Sequence, residues 1–230
     1  MTGDTSAFQL VLSGDPALFA IVQLSLVMSL SAVLIAALIG VPAGALLALT
    51  RFPGRETAIV VVNALMGLPP VVVGLAIYLL LSRSGPLGFF GLLFTVQAMI
   101  IAQTVLVTPI IAALTRQTIE DLWVEYRDEL AAMNVGALRR IATLIWDARF
   151  SLVTALLAGF GRAAAEVGAI LIVGGNIDGF TRTMTTAIAL ETSKGDLPLA
   201  IGLGMVLIAI VIVINALAWG ARRAGERYAG

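Results

Sequence analysis

Two residues could do chemistry inside an otherwise apolar stretch: Arg162 and Glu166. Spaced four apart, they fall on one helical face and can pair with each other. An ionisable side chain at membrane depth is expensive, so it faces a bundle interior or a wet pathway. Two readings follow. Either this face lines a translocation path or its gate, or the pair is a buried contact that sets helix register. Catalysis is disfavoured, because the sequence contains no histidine and no cysteine. Histidine base chemistry, cysteine nucleophiles, thiolate metal sites and disulfides are thereby excluded, and neither a metal nor a cofactor is expected.

The run GGNIDGFTRTMTTAIALETSKGD, residues 174–196, follows this stretch. Gly174, Gly175 and Gly179 should break the helix there. Asn176, Thr181, Arg182 and Thr183 are then candidates for a path or gate, since hydroxyls, glycine-rich backbone N–H groups and one guanidinium are donors suited to an anion. Plain turn chemistry accounts for the same residues. The apolar patch from Ala187 to Leu190 is too short to span and reads as an interfacial or re-entrant piece.

The elements that must position these residues are membrane helices. Of 230 residues, 60% are hydrophobic and 12% charged, about half the charge of a soluble domain. Five stretches meet the length of about 20 apolar residues that a bilayer demands. They run over roughly 19–48, 57–81, 90–114, 150–173 and 197–219. Pro42, Pro69, Pro70 and Pro109 predict kinks or breaks within them. No Lys or Arg precedes the first apolar run, so residues 1–18 read as an uncleaved outer tail. Small residues at Ala32, Ala36, Gly40 and Gly44 suit close helix approach, inside one bundle or between subunits.

Lys/Arg placement predicts the orientation. With the N-terminus outside, Arg51, Arg55, Arg116, Arg127, Arg139, Arg140, Arg149, Arg222, Arg223 and Arg227 are cytoplasmic. Only Arg83, Arg182 and Lys194 are external, so the C-terminus should lie in the cytoplasm. Overall charge balances at 14 against 14 and points to no nucleic-acid partner.

The cytoplasmic segment 116–149 holds 11 of the 28 charges and is far longer than a connector needs. TIEDLWVEYRDELAAMNVG reads as an amphipathic helix with Thr118 as N-cap. Its apolar face would comprise Leu122, Tyr126, Leu130 and Met133, and Gly136 would supply a left-handed stop. A second helical run, ALRRIATLIWDARF, leads into the fourth span. Such an elbow suits docking of a soluble partner, although a solvated loop has the same pattern.

The segment from Leu130 to Ala137 resembles the EAA loop of ABC-importer permeases, the coupling helix that sits in a cleft of the ATPase subunit. Ala131, Ala132 and Gly136 match its pattern, while Leu130 stands at the position of the family's Glu, with Glu129 adjacent. The run from Gly161 to Asp196, with Leu68-Pro69-Pro70, is similar to the molybdate/sulfate/tungstate group of oxyanion permeases, most of all the tungstate type. The resemblance implies an all-α polytopic membrane protein with the type I importer permease fold and five or six transmembrane helices. It further implies a non-catalytic permease, spanning residues 1–230 as one domain, in the inner membrane. The implied partners are a separate ATPase, an extracytoplasmic oxyanion-binding protein, a second copy of the chain and membrane lipid. No G-x-x-x-x-G-K-[ST] loop occurs, so ATP binding of that kind must come from elsewhere. A molybdate or sulfate permease and a self-contained channel or secondary transporter are the alternatives.

Overall fold

A computed structural model describes residues 16–229; residues 1–15, most of the expected outer tail, and the side chains of Arg222 and Arg227 lie outside what it describes. Among the described residues the chain is built of α-helices, as the sequence predicts. In chain order they are α1 (Pro16–Leu49), α2 (Arg55–Met66), α3 (Pro70–Leu81), α4 (Val96–Ala132) and α5 (Ala137–Asp147). α6 (Arg149–Ala164), α7 (Gly168–Gly174), α8 (Met184–Lys194) and α9 (Leu197–Ala229) follow.

Three helices (α1, α4 and α9) are long and apolar enough to cross a membrane individually, and five spans result if each of two bent helix pairs counts as one. The bent pairs are α2 with α3 and α5 with α6, the latter turning by 72° at Ala148. Of the five spans read from sequence, the second breaks where Pro69 and Pro70 predict it and the fourth needs correction. The second is broken between α2 and α3 by a bend of 101° at Gly67–Pro69. Pro70 can begin a helix but cannot continue one, and it holds Pro69 extended, at ψ 122°. Each half has 12 residues, about 18 Å of helix against a hydrocarbon core of about 30 Å. The fourth span breaks at Ala165–Val167, between α6 and α7. By contrast Pro42 and Pro109 lie within unbroken helices.

The third span is longer than expected. Thr95 caps its start, and α4 then continues for 37 residues, about 55 Å. No glycine or proline interrupts the chain between Pro109 and Gly136. Thr118 is consequently not an N-cap but a mid-helix residue whose hydroxyl donates to the Leu114 carbonyl at 3.0 Å.

α4 is the hub on which α1, α2, α3, α5, α6 and α7 pack, with α1 forming the most extensive pair. The stripe of small residues makes that pair possible. Ala32 and Ala36 are fully buried, and a Cβ on Gly44 would stand 2.4 Å from the Ala112 carbonyl oxygen. The stripe is thus occupied by packing within the chain itself. In a membrane such close backbone approach, through van der Waals contact, replaces the hydrophobic drive of a soluble core.

Candidate functional site

Two regions hold the residues singled out above: the elbow between α4 and α5, and the break between α6 and α7 with the turn before α8. At the elbow α4 stops on a paired hydrogen-bond motif. Val135 N–H donates to the Leu130 carbonyl at 3.1 Å and Asn134 N–H to the Ala131 carbonyl at 3.0 Å. Asn134 takes the left-handed conformation, φ 50°, that this motif demands. The expected left-handed stop at Gly136 is therefore wrong by two residues. Gly136 has φ −64° and ψ 154° and is the N-cap of α5.

Leu130 is buried, with Val135 packed in the same cluster. It supports the elbow from beneath, whereas Ala131, Ala132 and Gly136 are exposed. Met133 also departs from its expected inward face and is 74% exposed. Together with Leu138, 85% exposed, it borders a cavity of about 830 Å³ that Gly136 helps to line. Arg140 locks the corner, its guanidinium 4.7 Å from the Trp123 ring and donating to the Val135 carbonyl at 3.3 Å.

At the break, Arg162 and Glu166 do pair, at 2.8 Å. Glu166 is nevertheless not on the helical face expected of it, since α6 ends at Ala164. Its carboxylate, 3% exposed, also accepts the Ala169 N–H at 3.0 Å and so caps α7. Two further side chains satisfy carbonyls at the break. Gln103 Nε2 donates to Ala163 at 2.8 Å and the Thr185 hydroxyl to Glu166 at 2.7 Å. Backbone left unpaired at membrane depth would be costly, and these donors remove that cost.

The turn before α8 is packed inward. Thr181 is fully buried, donating to the Gly174 carbonyl at 2.6 Å and accepting from Ile177 N–H at 2.9 Å. Thr183 forms a capping box with Thr186 at the start of α8. Arg182 pairs with Asp178 at 2.9 Å. Asn176, at φ 51°, donates to the Thr186 carbonyl at 3.5 Å. The exposed face of α6 differs from those of the other long helices. Ser151, Thr154 and Ala158 lie on it, beside half-buried Gly161 and Arg162, and none of its large apolar residues is exposed. α1, α4 and α9 instead expose residues such as Leu38, Val105 and Ile208.

No family model matches the chain. It is 44% identical over 211 residues to a probable anion ABC transporter permease protein of Haloferax volcanii, covering 89% of this chain and 90% of that protein. This chain is an ABC transporter permease. It is also 41% identical over 214 residues to the tungstate uptake system permease protein TupB of Peptoclostridium acidaminophilum, covering 93% and 94%. Among solved structures, the fold is similar to a chain of the MetNI methionine ABC transporter in an inward-facing conformation. The TM-score is 0.72 at 20% identity, over 92% of this chain and 98% of that one.

In this permease the sequence brings Ala131, Ala132 and Gly136 to one surface and Arg162, Glu166, Asn176, Thr181, Arg182 and Thr183 to one neighbourhood of α6–α8. Sequence reasoning missed Gln103. A glutamine in the middle of the apolar run 96–114, about a turn and a half beyond Gln97 at its start, was the available signal.

Proposed function

We propose that the permease forms the membrane path for tungstate uptake, driven by a separate ATPase. The observation that carries the path is the small, polar face of α6 ending at Arg162. A helix facing lipid along that side would expose large apolar residues. A doubly charged anion needs a wet, polar route, and Arg162 offers it a guanidinium. Because Glu166 pairs with that guanidinium, its field is largely neutralised and the anion is passed on rather than trapped. The choice of tungstate rests on the TupB relative.

The same reading makes the protein a multi-pass inner-membrane permease with the N-terminus outside and the C-terminus cytoplasmic. Two copies enclose the path. The ATPase docks on the elbow within residues 116–149, where Ala131, Ala132 and Gly136 are exposed. A Cβ on Gly136 would meet nothing within 4 Å and its φ suits any residue, so its own chain has no need of glycine there. A close-seated partner does. A loaded binding protein docks near residues 82–89 and 174–196. ATP closes the ATPase dimer, the elbows move, and the path alternates its opening.

The test is ATP hydrolysis by the permease reconstituted with its ATPase and with binding protein loaded with tungstate, molybdate or sulfate. Stimulation by the tungstate-loaded form alone is expected. Stimulation by another anion overturns the substrate, and anion flux through the permease alone without ATP overturns the ATP-driven reading.

A further inference from the structure

We infer that Arg55 and Glu120 form a coupling strut, carrying motion of the elbow to the broken pair α2–α3. Glu120 lies on α4 ten residues before Leu130, about 15 Å along the helix toward the membrane. Both of its carboxylate oxygens are engaged. Oε1 accepts from Arg55 Nη2 at 2.6 Å and Oε2 from Arg116 Nη1 at 2.5 Å.

Arg55 is the first residue of α2 and follows Gly54, whose φ of 87° turns the chain out of α1. Its guanidinium contacts three elements. Nε donates to the Leu47 carbonyl in the last turn of α1 at 2.7 Å, Nη1 to Glu56 at 2.8 Å, and Nη2 to Glu120 on α4. The missing Cβ of Gly44 seats the end of α1 on Thr115 and Arg116, one turn before Glu120. Arg55 and Glu120 are 22% and 31% exposed at the side chain, so water screens them only in part.

From this clamp the structure is contiguous to the membrane break. α2 leads through the 101° bend into α3, and α3 packs on α7 so closely that a Cβ on Gly74 would stand 2.7 Å from the Ala169 Cα. Ala169 is the residue that Glu166 caps. Movement of α4 at the elbow therefore reaches the α6–α7 break through Glu120, Arg55, α2 and α3, besides direct packing. Arg55 and Glu120 are positioning residues, and neither is assigned to the path or the docking surface.

This inference rests on the ATP-driven reading above. Wild type and Glu120→Gln, Arg55→Ala and the double variant Arg55→Ala/Glu120→Ala would be compared in proteoliposomes with the ATPase and tungstate-loaded binding protein. Tungstate taken up and ATP hydrolysed are measured together. The expected result is stimulated ATP hydrolysis within about two-fold of wild type, with tungstate carried per ATP reduced at least about five-fold. The double variant should be no worse than the poorer single one, because one link is lost once. An unchanged ratio, or uptake and hydrolysis falling in parallel, overturns the strut. Should the alanine variants fail to assemble, the near-isosteric Glu120→Gln decides by the same ratio. A wild-type complex that shows no coupled uptake refutes the transport reading instead.

Discussion

The elbow and the membrane break use similar materials in opposite ways. The elbow turns Leu130 and Val135 inward and presents alanines, a glycine, Met133 and Leu138 to the outside. The break turns its polar groups inward, so that Glu166, Thr181, Thr183 and Thr185 are buried and engaged by neighbours. Solvent explains the contrast. At the elbow, water satisfies exposed backbone, and the chain can leave small and apolar side chains uncovered for a partner. In hydrocarbon, every carbonyl freed by a broken helix must find a donor within the protein. Substitutions at the break should therefore act on folding, and those on the elbow surface on assembly.

The largest effect is expected at the ion pair. Arg162→Ala strands a carboxylate that is 3% exposed, a loss of about 3–5 kcal/mol. The melting temperature in detergent should fall sharply, and Arg162→Ala/Glu166→Ala should recover much of it. A double variant no better than the single one would mean that Glu166 matters mainly as the cap of α7. Next in size is Gly44→Leu, which forces a side chain onto the Ala112 backbone. About 1–3 kcal/mol of destabilisation is expected, again read from melting. An unaffected melting temperature would show that α1 and α4 can separate without loss.

Asn134→Ala sharpens the comparison at the elbow. It keeps the left-handed φ of 50° but removes the residue type that tolerates it, and about 1 kcal/mol should be lost. Asn134→Gly should be neutral or stabilising. Gly136→Asn should have the smallest effect on folding, within about 0.5 kcal/mol, since an N-cap favours asparagine and nothing surrounds the site. Binding to the ATPase should nevertheless weaken tenfold or more, as measured by co-purification or titration. Normal binding by this variant would remove the docking role from the elbow.

Sequence alone determined that the chain is helical and membrane-spanning, because 60% apolar composition and stretches of about 20 apolar residues leave few other solutions. It also marked the Pro69–Pro70 interruption, the unusual pair at Arg162 and Glu166, and the small-residue stripe. Those features depend on local sterics or on a charge standing out from its neighbours.

Tertiary structure decided the rest. The end of α4 could not be read from charge, since a helix with no breaker after Pro109 simply continues from lipid into water. Its stop passed to Asn134 rather than Gly136 because burial of Leu130 with Val135 sets where the chain must turn. Likewise the threonines of 181–186 read as exposed donors only until α1, α7 and α8 enclose them, as when Ser25 of α1 accepts the Met184 N–H at 2.8 Å. Hydrophobic pattern and helix propensity are properties of neighbouring residues. Which polar group meets which carbonyl, 60 residues away for Gln103 and Ala163, is settled only when the helices pack.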